Sequence, residues 1–564
     1  MIEKIWEIKE RKFESLIDQL LYNRGVILKE DDEEKKLIFF KPNFSQDLYN
    51  PYLMTDMKGA VERIKKAVEN QEKIGIFSDY DADGIPGAAL MYRTFNVLGL
   101  KTYVYIPNRE GGYGLSREGI DHLAEKGCTI IITIDLGIRN LTEPSYCREK
   151  GIDLIITDHH LPGEELPKAD FVINPKRAGD EYPFKDLCGC AVGYKLIQAL
   201  SKYFPKELDE KFLKWNLDLV AISTISDVVP LSGENRVLAK YGITVLKKTK
   251  NLGLQELYKV SNILPDNIGA YTVGFQIGPR INAPGRMDCA TKSFELLVTN
   301  DLIEAGELAM SLNEKNEERQ AEMDVLEREA IAKIEEQKLY ENKIIIIAGK
   351  WTRGIIGPTA SRLVEKYARP VILFSSIRDD YTGSARSVSG VNIIELLDKI
   401  KNLMTKYGGH KGAAGLSVSK EKYKEFVSQL TITANANIDD KSLIKKIFVD
   451  ADVKFTEMTF KLFEEIAGFE PFGMSNPRPV FTVSDISFEN FRFVGRESNH
   501  FSATAKSKDS KIKSIYFNFP FEKSMINYDK SYNIVFSLNQ DEWQGTKKLS
   551  LNIIDMKLAE STDE

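Results

Sequence analysis

Cysteine is scarce in this sequence, and long apolar runs are absent from it. Five cysteines are scattered over 564 residues, an odd number that does not suit a disulfide framework and favours a reducing compartment. No stretch of about 18 apolar residues occurs, so no membrane span is expected. The first seven residues, MIEKIWE, carry acids where a signal peptide would have a basic and then an apolar stretch. We therefore expect a cytoplasmic protein with no membrane segment.

Histidine is also scarce, and positive charge is not in excess. The sequence has five histidines, 77 Lys and Arg residues against 83 Asp and Glu residues, and a formal net charge of −6. This charge disfavours indiscriminate binding of long duplex DNA, but it does not exclude a local basic groove. Cys188-Gly189-Cys190 could be half of a metal site, but no second cysteine pair accompanies it. A zinc site built on cysteines is therefore not predicted.

Carboxylates, in contrast, are concentrated in the motif Asp79-Tyr80-Asp81-Ala82-Asp83-Gly84, which holds three of them at alternate positions. In a strand-to-loop segment such side chains project to nearly the same side, and three close anions repel one another unless a cation lies among them. The alternative is an acidic surface turn, since Asp and Gly dominate turns. The flanks favour a metal site, because residues 73–78 have the pattern of a buried parallel strand and residues 85–98 that of a helix.

Further acidic and imidazole groups end other apolar segments. The runs 129–134 and 152–157 lead to Asp135 and to Asp158-His159-His160, and another apolar segment, which could be a helix or a strand, leads to Asp227. In open α/β sheets, ligands bind at the carboxyl ends of the strands. Carboxylates with one or two imidazoles suit Mn²⁺ or Mg²⁺ better than a structural zinc. The predicted chemistry is phosphoester hydrolysis at a two-metal centre.

These motifs resemble those of the DHH phosphoesterase superfamily, and within it the chain most resembles the RecJ family of single-strand-specific 5′-to-3′ exonucleases. Gly408-Gly409-His410 with Ala413-Ala414-Gly415 is similar to the glycine-rich motif of the accompanying DHHA1 domain, and residues 471–477 are similar to the start of the family's OB-fold region. Additional matches are Ile106-Pro107-Asn108-Arg109, Gly112-Tyr113-Gly114-Leu115, Asn174-Pro175, Tyr182-Pro183-Phe184 and Gly278-Pro279-Arg280-Ile281-Asn282-Ala283.

The resemblance implies an α/β protein of several domains: a DHH domain with a parallel sheet, a long connecting helix, a second α/β DHHA1 domain and a C-terminal OB-like β-barrel. The predicted boundaries are a lead-in at 1–55, the DHH domain at 56–300, the connecting helix at 301–340, the DHHA1 domain at 341–435 and the OB domain at 436–564. The long helix could alternatively form the stem of a coiled-coil dimer. Its apolar stripe is broken, however, and we expect a monomer. Asp380-Tyr381-Thr382-Gly383 predicts a hairpin turn.

The resemblance also implies roles for individual residues. Asp158 is expected to orient an imidazole, and His160 to contact the scissile phosphate or the attacking water. Asp79 is either a further metal ligand or a hydrogen-bond acceptor behind the ligands. The expected metal ligands are Asp81, Asp83, Asp135 (bridging), His159 and Asp227. The expected substrate-binding residues are Arg109, Tyr113, Arg280, Ser384, Arg386, Gly408, Gly409 and His410, although an arginine beside Pro279 or Asn282 could instead brace a loop.

The implied activity is two-metal hydrolysis of single-stranded DNA from its 5′ end to 5′-mononucleotides in repair and recombination, with a single-strand-binding protein and a RecQ-type helicase as partners. Three alternatives stay open: a smaller DHH phosphodiesterase for short oligonucleotides or cyclic dinucleotides, an inorganic pyrophosphatase, and an inactive DNA-binding scaffold. The first two do not need the β-rich segment beyond residue 440, and the third would lose the metal carboxylates that this chain keeps. The chain departs from the family pattern at Thr352, where a His is usual, and at Leu136, where a small residue or Cys is common.

Overall fold

The structure is a computed structural model that describes residues 4–107, 114–287, 290–377, 380–508, 510–522, 526–527, 529–543 and 546–559. The chain divides into two compact units, which we call the catalytic unit (10–316 with 450–559) and the second unit (4–9 with 317–449). No helix in these described ranges is long and apolar enough to cross a membrane.

The first part of the chain contains the parallel sheet, and between residues 57 and 173 it alternates helices and strands, as such a sheet requires. Its elements are β1 (Lys4–Ile8), α1 (Leu16–Asn23), α2 (Glu33–Phe40), α3 (Met57–Glu69), β2 (Ile74–Ser78), α4 (Gly84–Val97), β3 (Thr102–Tyr105), α5 (Arg117–Glu125), β4 (Ile130–Ile134), α6 (Glu143–Glu149), β5 (Asp153–Thr157), β6 (Phe171–Ile173), α7 (Gly189–Leu200), α8 (Glu210–Trp215), α9 (Leu217–Ser226), α10 (Gly233–Leu246), α11 (Leu252–Val260), α12 (Ala270–Thr272), α13 (Gly278–Met287), α14 (Thr291–Val298) and α15 (Leu302–Glu336).

Strands β2 to β6 form the predicted parallel sheet, in the order β3-β2-β4-β5-β6. Helices α3, α4 and α7 cover one face of it and α5 and α6 the other. Both faces are therefore shielded from water, which explains why the central strands β2 and β4 are buried throughout and read as continuous apolar runs. The segment before Asp227, left open between helix and strand, is the helix α9.

The second unit is a mixed α/β structure. Its further elements are β7 (Ile345–Gly349), α16 (Arg353–Tyr367), β8 (Val371–Ser375), β9 (Tyr381–Arg386), α17 (Ile393–Asp398), β10 (Lys406–His410), β11 (Ala413–Val418), α18 (Tyr423–Asn437) and β12 (Lys445–Val449). The sheet order is β10-β11-β9-β8-β7, in which β7 and β8 are parallel and the other neighbours antiparallel. The turn predicted over 380–383 is wrong, because residues 381–383 already belong to β9, where Thr382 and Gly383 pair with β8 and Tyr381 pairs with β11.

The C-terminal part of the catalytic unit is the predicted barrel. Its elements are β13 (Ala451–Asp452), α19 (Phe460–Ala467), β14 (Phe481–Val494), β15 (His500–Ser507), β16 (Ser510–Tyr516), β17 (Tyr532–Trp543) and β18 (Thr546–Leu558). Five strands follow one another as β14-β15-β16-β18-β17, and β14 pairs again with β17, so the barrel closes. Leu20 and Leu21 of α1 are buried in the same hydrophobic core as the barrel strands.

Helix α15 is the predicted connecting helix. Ala309 and Leu312 are buried in the core of the parallel-sheet domain. Leu326 and Ile334, farther along the helix, are buried in a core that also contains β7 and α16. The apolar stripe is thus buried within the chain, so these side chains cannot also form the interface of a coiled-coil dimer.

Candidate metal centre

The ends of three neighbouring strands bring acidic residues together. Asp79 follows β2, Asp135 follows β4 and Asp158 follows β5, and these strands are adjacent in the sheet. Backbone pairing continues past the strand ends, because the Asp79 amide donates to the Ile134 carbonyl (3.2 Å) and the Asp135 amide to the Thr157 carbonyl (3.0 Å). Asp227 joins this cluster from the C-terminal end of α9.

The imidazole of His159 lies at the centre of the cluster. Its Nε2 atom is 3.1 Å from a carboxylate oxygen of Asp135, 3.6 Å from one of Asp227 and 3.7 Å from one of Asp83. This nitrogen is buried and makes no hydrogen bond to any residue in the described part of the chain. Burial, followed by the charge of His160, lowers the pKa of His159 to about 3. The ring is therefore neutral at pH 7 and can offer a lone pair to a metal ion.

The carboxylates around this ring are too crowded to be ionised together without a cation. Burial and the charge of Asp81 raise the pKa of Asp79 to about 8 and that of Asp83 to about 6. Burial and the charges of Asp83 and Asp81 raise the pKa of Asp227 to about 9. The pKa of Asp135 is also raised, by burial and then by the charge of Asp83.

Three sets of ligand atoms in this cluster lie within 4.8 Å of one another: Asp79, Asp81 and Asp135; Asp135, His159 and His160; and Asp83, His159 and Asp227. Like charges raise carboxylate pKa values, whereas a bound divalent ion would reverse these shifts. Carboxylate oxygens with one or two imidazoles are a suitable ligand set for Mn²⁺ or Mg²⁺. The residues present therefore fit the predicted metal ions.

Backbone N–H groups in the first turn of α7 fix Asp83. Its two carboxylate oxygens accept hydrogen bonds from the N–H of Gly189 (2.6 Å) and the N–H of Cys190 (2.8 Å). No larger residue fits at position 189 without displacement, since a Cβ there would lie 2.5 Å from the Cβ of Asp135. The segment Cys188-Gly189-Cys190 thus serves the site through its backbone and its glycine. In the sequence only its thiols stand out as possible ligands, and these are buried, which raises their pKa values.

The loop of residues 79–83 is held by its own side chains and by α13. The Oδ1 atom of Asp81 accepts hydrogen bonds from the N–H of Asp83 (2.9 Å) and of Gly84 (3.1 Å), so it caps the start of α4. The side chain of Asn282 accepts a hydrogen bond from the Ala82 N–H (2.7 Å). In the sequence Asn282 is only one member of a motif, whereas in the structure its side chain holds the loop of residues 79–83.

Asp158 holds both histidines in place. Its Oδ1 atom accepts hydrogen bonds from the backbone N–H of His159 (2.7 Å) and of His160 (3.1 Å), and lies 2.8 Å from Nδ1 of His160. Burial acts to raise the pKa of Asp158, but the hydrogen bond and charge of His160 lower it overall. Burial acts to lower the pKa of His160, but the hydrogen bond and charge of Asp158 raise it overall. The raised pKa favours the protonated ring of His160, and with 42% of its side chain exposed this residue lies at the accessible side of the cluster.

In the second unit, the predicted glycine-rich motif lies on the sheet formed by β9, β10 and β11. Residues directly opposite each other in antiparallel strands share a face. One row across this face consists of His410, Ala413 and Arg386, and the next row consists of Gly408, Gly415 and Ser384. A Cβ placed on Gly408 or Gly415 would meet nothing within 4 Å. This face of the sheet therefore has an uncovered surface of small residues beside a guanidinium and an imidazole, groups that suit a phosphate.

The other predicted substrate residues differ in their surroundings. Arg280 donates from Nε to Oδ1 of Asn313 (2.9 Å) and from Nη1 to the carbonyl of Gln276 (2.8 Å), contacts that match the bracing alternative. A Cβ on Gly409 would lie 2.2 Å from the Ala413 carbonyl oxygen, so the hairpin needs glycine there. Arg109 and Tyr113 lie outside the described residues.

The two departures from the family pattern also have defined places. Thr352 is the N-cap residue of α16, where its side chain makes no capping hydrogen bond. Leu136 is fully buried in the core between the sheet and helices α5 and α6, so the larger side chain is accommodated by packing. The carboxylate of Asp135, immediately before it, stays in the cluster.

Comparison with known proteins finds relatives for three regions of the chain. Residues 73–224 match the DHH family, N-terminal domain; residues 341–435 match the DHHA1 domain; and residues 449–555 match the RecJ OB domain. Together these regions span the parallel sheet with part of its helices, the second unit's sheet and the barrel.

Individual relatives extend this similarity over nearly the whole chain. The single-stranded-DNA-specific exonuclease RecJ of Bacillus subtilis is 36% identical, over 98% of this chain and 71% of that protein. The protein of the same name from Haemophilus influenzae is 32% identical, over 90% of this chain and 91% of that protein. The crystal structure of RecJ in complex with Mn²⁺ from Thermus thermophilus matches with a TM-score of 0.81 at 26% identity, over 99% of this chain and 80% of that one. The chain therefore belongs to the RecJ family of DHH phosphoesterases.

Proposed function

We propose that this chain hydrolyses single-stranded DNA from its 5′ end and releases 5′-mononucleotides, with two divalent cations, Mn²⁺ or Mg²⁺, as cofactors. The observation that carries this proposal is the buried cluster of carboxylates around Nε2 of His159 in a chain of the RecJ family. When bound, a pair of such ions activates a water molecule and offsets charge on the leaving oxygen. The protein is proposed to hold the ions with its carboxylates, to orient the imidazoles and to supply a proton.

Each residue of the cluster has a proposed role. Asp135 lies in two of the three possible ligand sets, which supports it as the bridging carboxylate. Asp79 shares a set with Asp81 and Asp135, and this favours a direct ligand over a hydrogen-bond acceptor behind the ligands. His160, held by Asp158, is proposed to donate a hydrogen bond or proton to the phosphate or the attacking water. The proposed ligands are Asp79, Asp81, Asp83, Asp135, His159 and Asp227.

The 5′ polarity is proposed to come from recognition of the terminal phosphate. Gly408 carries no side chain and lies on the uncovered face of the sheet, so a phosphate can approach its backbone closely. Arg386 and His410 on the same face would add positive charge. Arg109, Tyr113, Arg280 and Ser384 are further proposed contacts. The aromatic side chains of the barrel are proposed to stack on bases farther along the strand.

A second class of function receives less support. A smaller DHH phosphodiesterase would use the same carboxylates, but it would not need the closed barrel that matches the RecJ OB domain. By family membership we also propose that the chain acts as a monomer in the cytoplasm, in DNA repair and recombination. A single-strand-binding protein and a RecQ-type helicase are its proposed partners.

The activity is tested with purified protein, Mn²⁺, and single strands labelled at either the 5′ or the 3′ end, beside a blunt duplex. We expect labelled mononucleotides to appear early from the 5′ label alone and the duplex to be spared. The Asp135→Ala variant should be inactive with an unchanged circular dichroism spectrum. Early release from the 3′ label, or cleavage confined to dinucleotides, would contradict the proposal.

The terminal phosphate is tested by comparing strands with and without it. Wild-type protein should lose cleavage rate when the 5′ phosphate is removed, and the triple variant Arg109→Ala, Arg280→Ala, Arg386→Ala should lose much less. Equal losses would exclude these arginines as the phosphate site. The single variant Arg280→Ala separates its bracing contacts with Asn313 and Gln276 from phosphate binding, because bracing alone would lower the melting temperature without altering the response to the phosphate.

A further inference from the structure

The backbone that follows Asp227 has an unusual conformation at the next residue. Asp227 is the C-cap residue of α9, and Val228 after it has a φ of 58°. This left-handed conformation is an outlier for a β-branched side chain. It costs free energy and persists only where the surrounding structure enforces it. The proposed metal ligand Asp227 is therefore followed by a loop, residues 228–231, that needs support from elsewhere in the fold.

The segment that leads into the barrel contacts this loop. We call residues 468–477 the support segment; it joins α19 to β14 and contains the motif at 471–477. The N–H of Leu231 donates a hydrogen bond to the carbonyl of Met474 (2.8 Å). A Cβ on Gly473 would lie 2.7 Å from Cδ1 of Leu231, so the two chain segments are closely packed. Val228 and Met474 also line one cavity, of about 1230 Å³.

Arg236 of α10 binds the start of the support segment. Arg236 is 3% exposed, and it donates from Nη1 to the carbonyl of Phe469 (2.8 Å) and from Nη2 to the carbonyls of Gly468 and Glu470 (3.1 Å each). Its Nε donates to the carbonyl of Phe39 (2.9 Å), and its guanidinium lies 3.7 Å from the centroid of the Phe39 ring. Only the planar fork of an arginine can serve four carbonyls at once, because lysine has a single nitrogen.

Asn476 ties the end of the support segment back to its start. Its side-chain nitrogen donates to the carbonyls of Phe469 (2.7 Å) and Pro471 (2.9 Å). Its Oδ1 accepts a hydrogen bond from Nε of Arg24 in α1 (2.8 Å). Asn476 is 1% exposed, and leaving such buried polar groups without partners is costly. The support segment is therefore held in one conformation by Arg236 and Asn476 together.

We propose that Arg236 is a positioning residue for Asp227. It fixes the support segment, which holds residues 228–231 and thereby keeps the Asp227 carboxylate 3.6 Å from Nε2 of His159. Groups that orient a metal ligand from behind commonly change metal affinity by about 10–100-fold. The inference rests on the proposed role of Asp227 as a metal ligand, and it gives the motif at 471–477 a function at the metal centre. A purely structural role, joining the barrel to the parallel-sheet domain, would change stability without changing metal affinity.

The test is calorimetric titration of the full chain with Mn²⁺. Arg236→Lys keeps the charge but loses the fork, and Asn476→Asp loses the donors to Phe469 and Pro471. Each variant should bind Mn²⁺ about tenfold more weakly than the wild type. Asp227→Ala, which removes the carboxylate itself, should bind Mn²⁺ at least as weakly as either variant. Circular dichroism checks that each variant is folded, and if Arg236→Lys is not, Asn476→Asp decides the question.

The matched control is Arg63→Met, which also removes an arginine that links distant parts of the chain. Arg63 donates to Glu72 and Asp153. Glu72 lies just before β2 and Asp153 begins β5, so both lie at the strand ends away from the metal cluster. This variant should unfold at a lower urea concentration than the wild type but bind Mn²⁺ with the same affinity.

The Mn²⁺ dependence of strand cleavage gives a second measurement. Arg236→Lys and Asn476→Asp should need more Mn²⁺ for half of their maximal rate. At saturating Mn²⁺ their rates should return to within about threefold of the wild type, because mass action overcomes weaker binding.

Three results would overturn the inference. Wild-type Mn²⁺ affinity in a folded Arg236→Lys or Asn476→Asp variant would show that the support segment only joins domains. An equal loss of affinity in Arg63→Met would show that any destabilisation weakens metal binding. Unchanged Mn²⁺ affinity in Asp227→Ala would refute the ligand role and the inference with it. A chain that binds Mn²⁺ as expected but does not cleave from the 5′ end would contradict the proposed activity alone, since the titrations do not depend on cleavage.

Discussion

Replacing Gly189 by alanine should inactivate the enzyme while leaving the chain folded. A Cβ at this position would lie 2.5 Å from Cβ, 2.6 Å from Oδ1 and 2.7 Å from Cγ of Asp135. Nonbonded carbon atoms prefer separations of about 3.5–4.0 Å, so Asp135 or α7 must move by about 1 Å. A displacement of about 1 Å at a catalytic group can cost about 100-fold in rate. Overpacking of this kind also costs about 1–3 kcal/mol in the free energy of unfolding.

The same helix provides a matched control. A Cβ on Gly193 would approach only flexible side-chain ends, Cε of Met91 at 3.2 Å and Cδ1 of Ile134 at 3.3 Å. Gly193→Ala should therefore keep nearly full activity, and its added methyl group also improves helix propensity.

Initial rates on a 5′-labelled single strand, Mn²⁺ affinity by calorimetry and urea unfolding would be measured for both variants. A Gly189→Ala enzyme within about threefold of wild type would refute the claim that close packing of α7 against Asp135 positions the metal centre. Equal rate losses in the two variants would point instead to a general effect of alanine in α7.

Three further perturbations test other parts of the account. In the metal-free protein, kept so with EDTA, the pKa values of Asp83, Asp79 and Asp227 are about 6, 8 and 9, above the value of about 3.9 for unfolded Asp. The folded state therefore holds more protons, and the free energy of unfolding should fall as the pH rises from 6 to 9. Saturating Mn²⁺ should abolish or reverse this slope, and a free energy of unfolding that increases with pH in the metal-free protein would contradict the reasoning. The Gly408→Ala variant places its methyl group in open space, so it should keep the wild-type melting temperature but bind 5′-phosphorylated strands more weakly. The Gly409→Ala variant should have a lower melting temperature, because its Cβ would lie 2.2 Å from a carbonyl oxygen. The reverse pattern would exclude close approach of a phosphate at Gly408. The fully buried Lys195 lies 2.9 Å from Glu234, and Glu234→Gln removes its counter-charge. The free energy of unfolding, measured with urea, should therefore fall by about 3–5 kcal/mol. A decrease below about 1 kcal/mol would contradict this.

The strands that carry the site could be predicted closely from the sequence. Runs of isoleucine before Asp135 and Asp158 occur because helices cover both faces of the sheet, and a strand buried on both sides has no polar alternation. The predicted runs 129–134 and 152–157 begin one residue before β4 and β5 and end at the same residues. Convergence of Asp79, Asp135 and Asp158 then follows from the parallel order of neighbouring strands.

Contacts between distant segments could not be predicted. Helix α9 is buried on nearly all sides, so it has no amphipathic period that would distinguish it from a strand. The contact of Gly189 with Asp83 and Asp135 joins residues far apart in sequence, and a glycine between two cysteines at the start of an apolar segment was its only local signal. The contact of Arg280 with Asn313 likewise depends on how α13 packs against α15.

Anomalous scattering from crystals grown with Mn²⁺ would locate the ions of the two-metal centre. We expect two manganese peaks within the cluster, both in contact with Asp135 and one of them with Nε2 of His159. A single peak, or peaks away from Asp135 and His159, would contradict the two-metal centre whatever the activity of the protein.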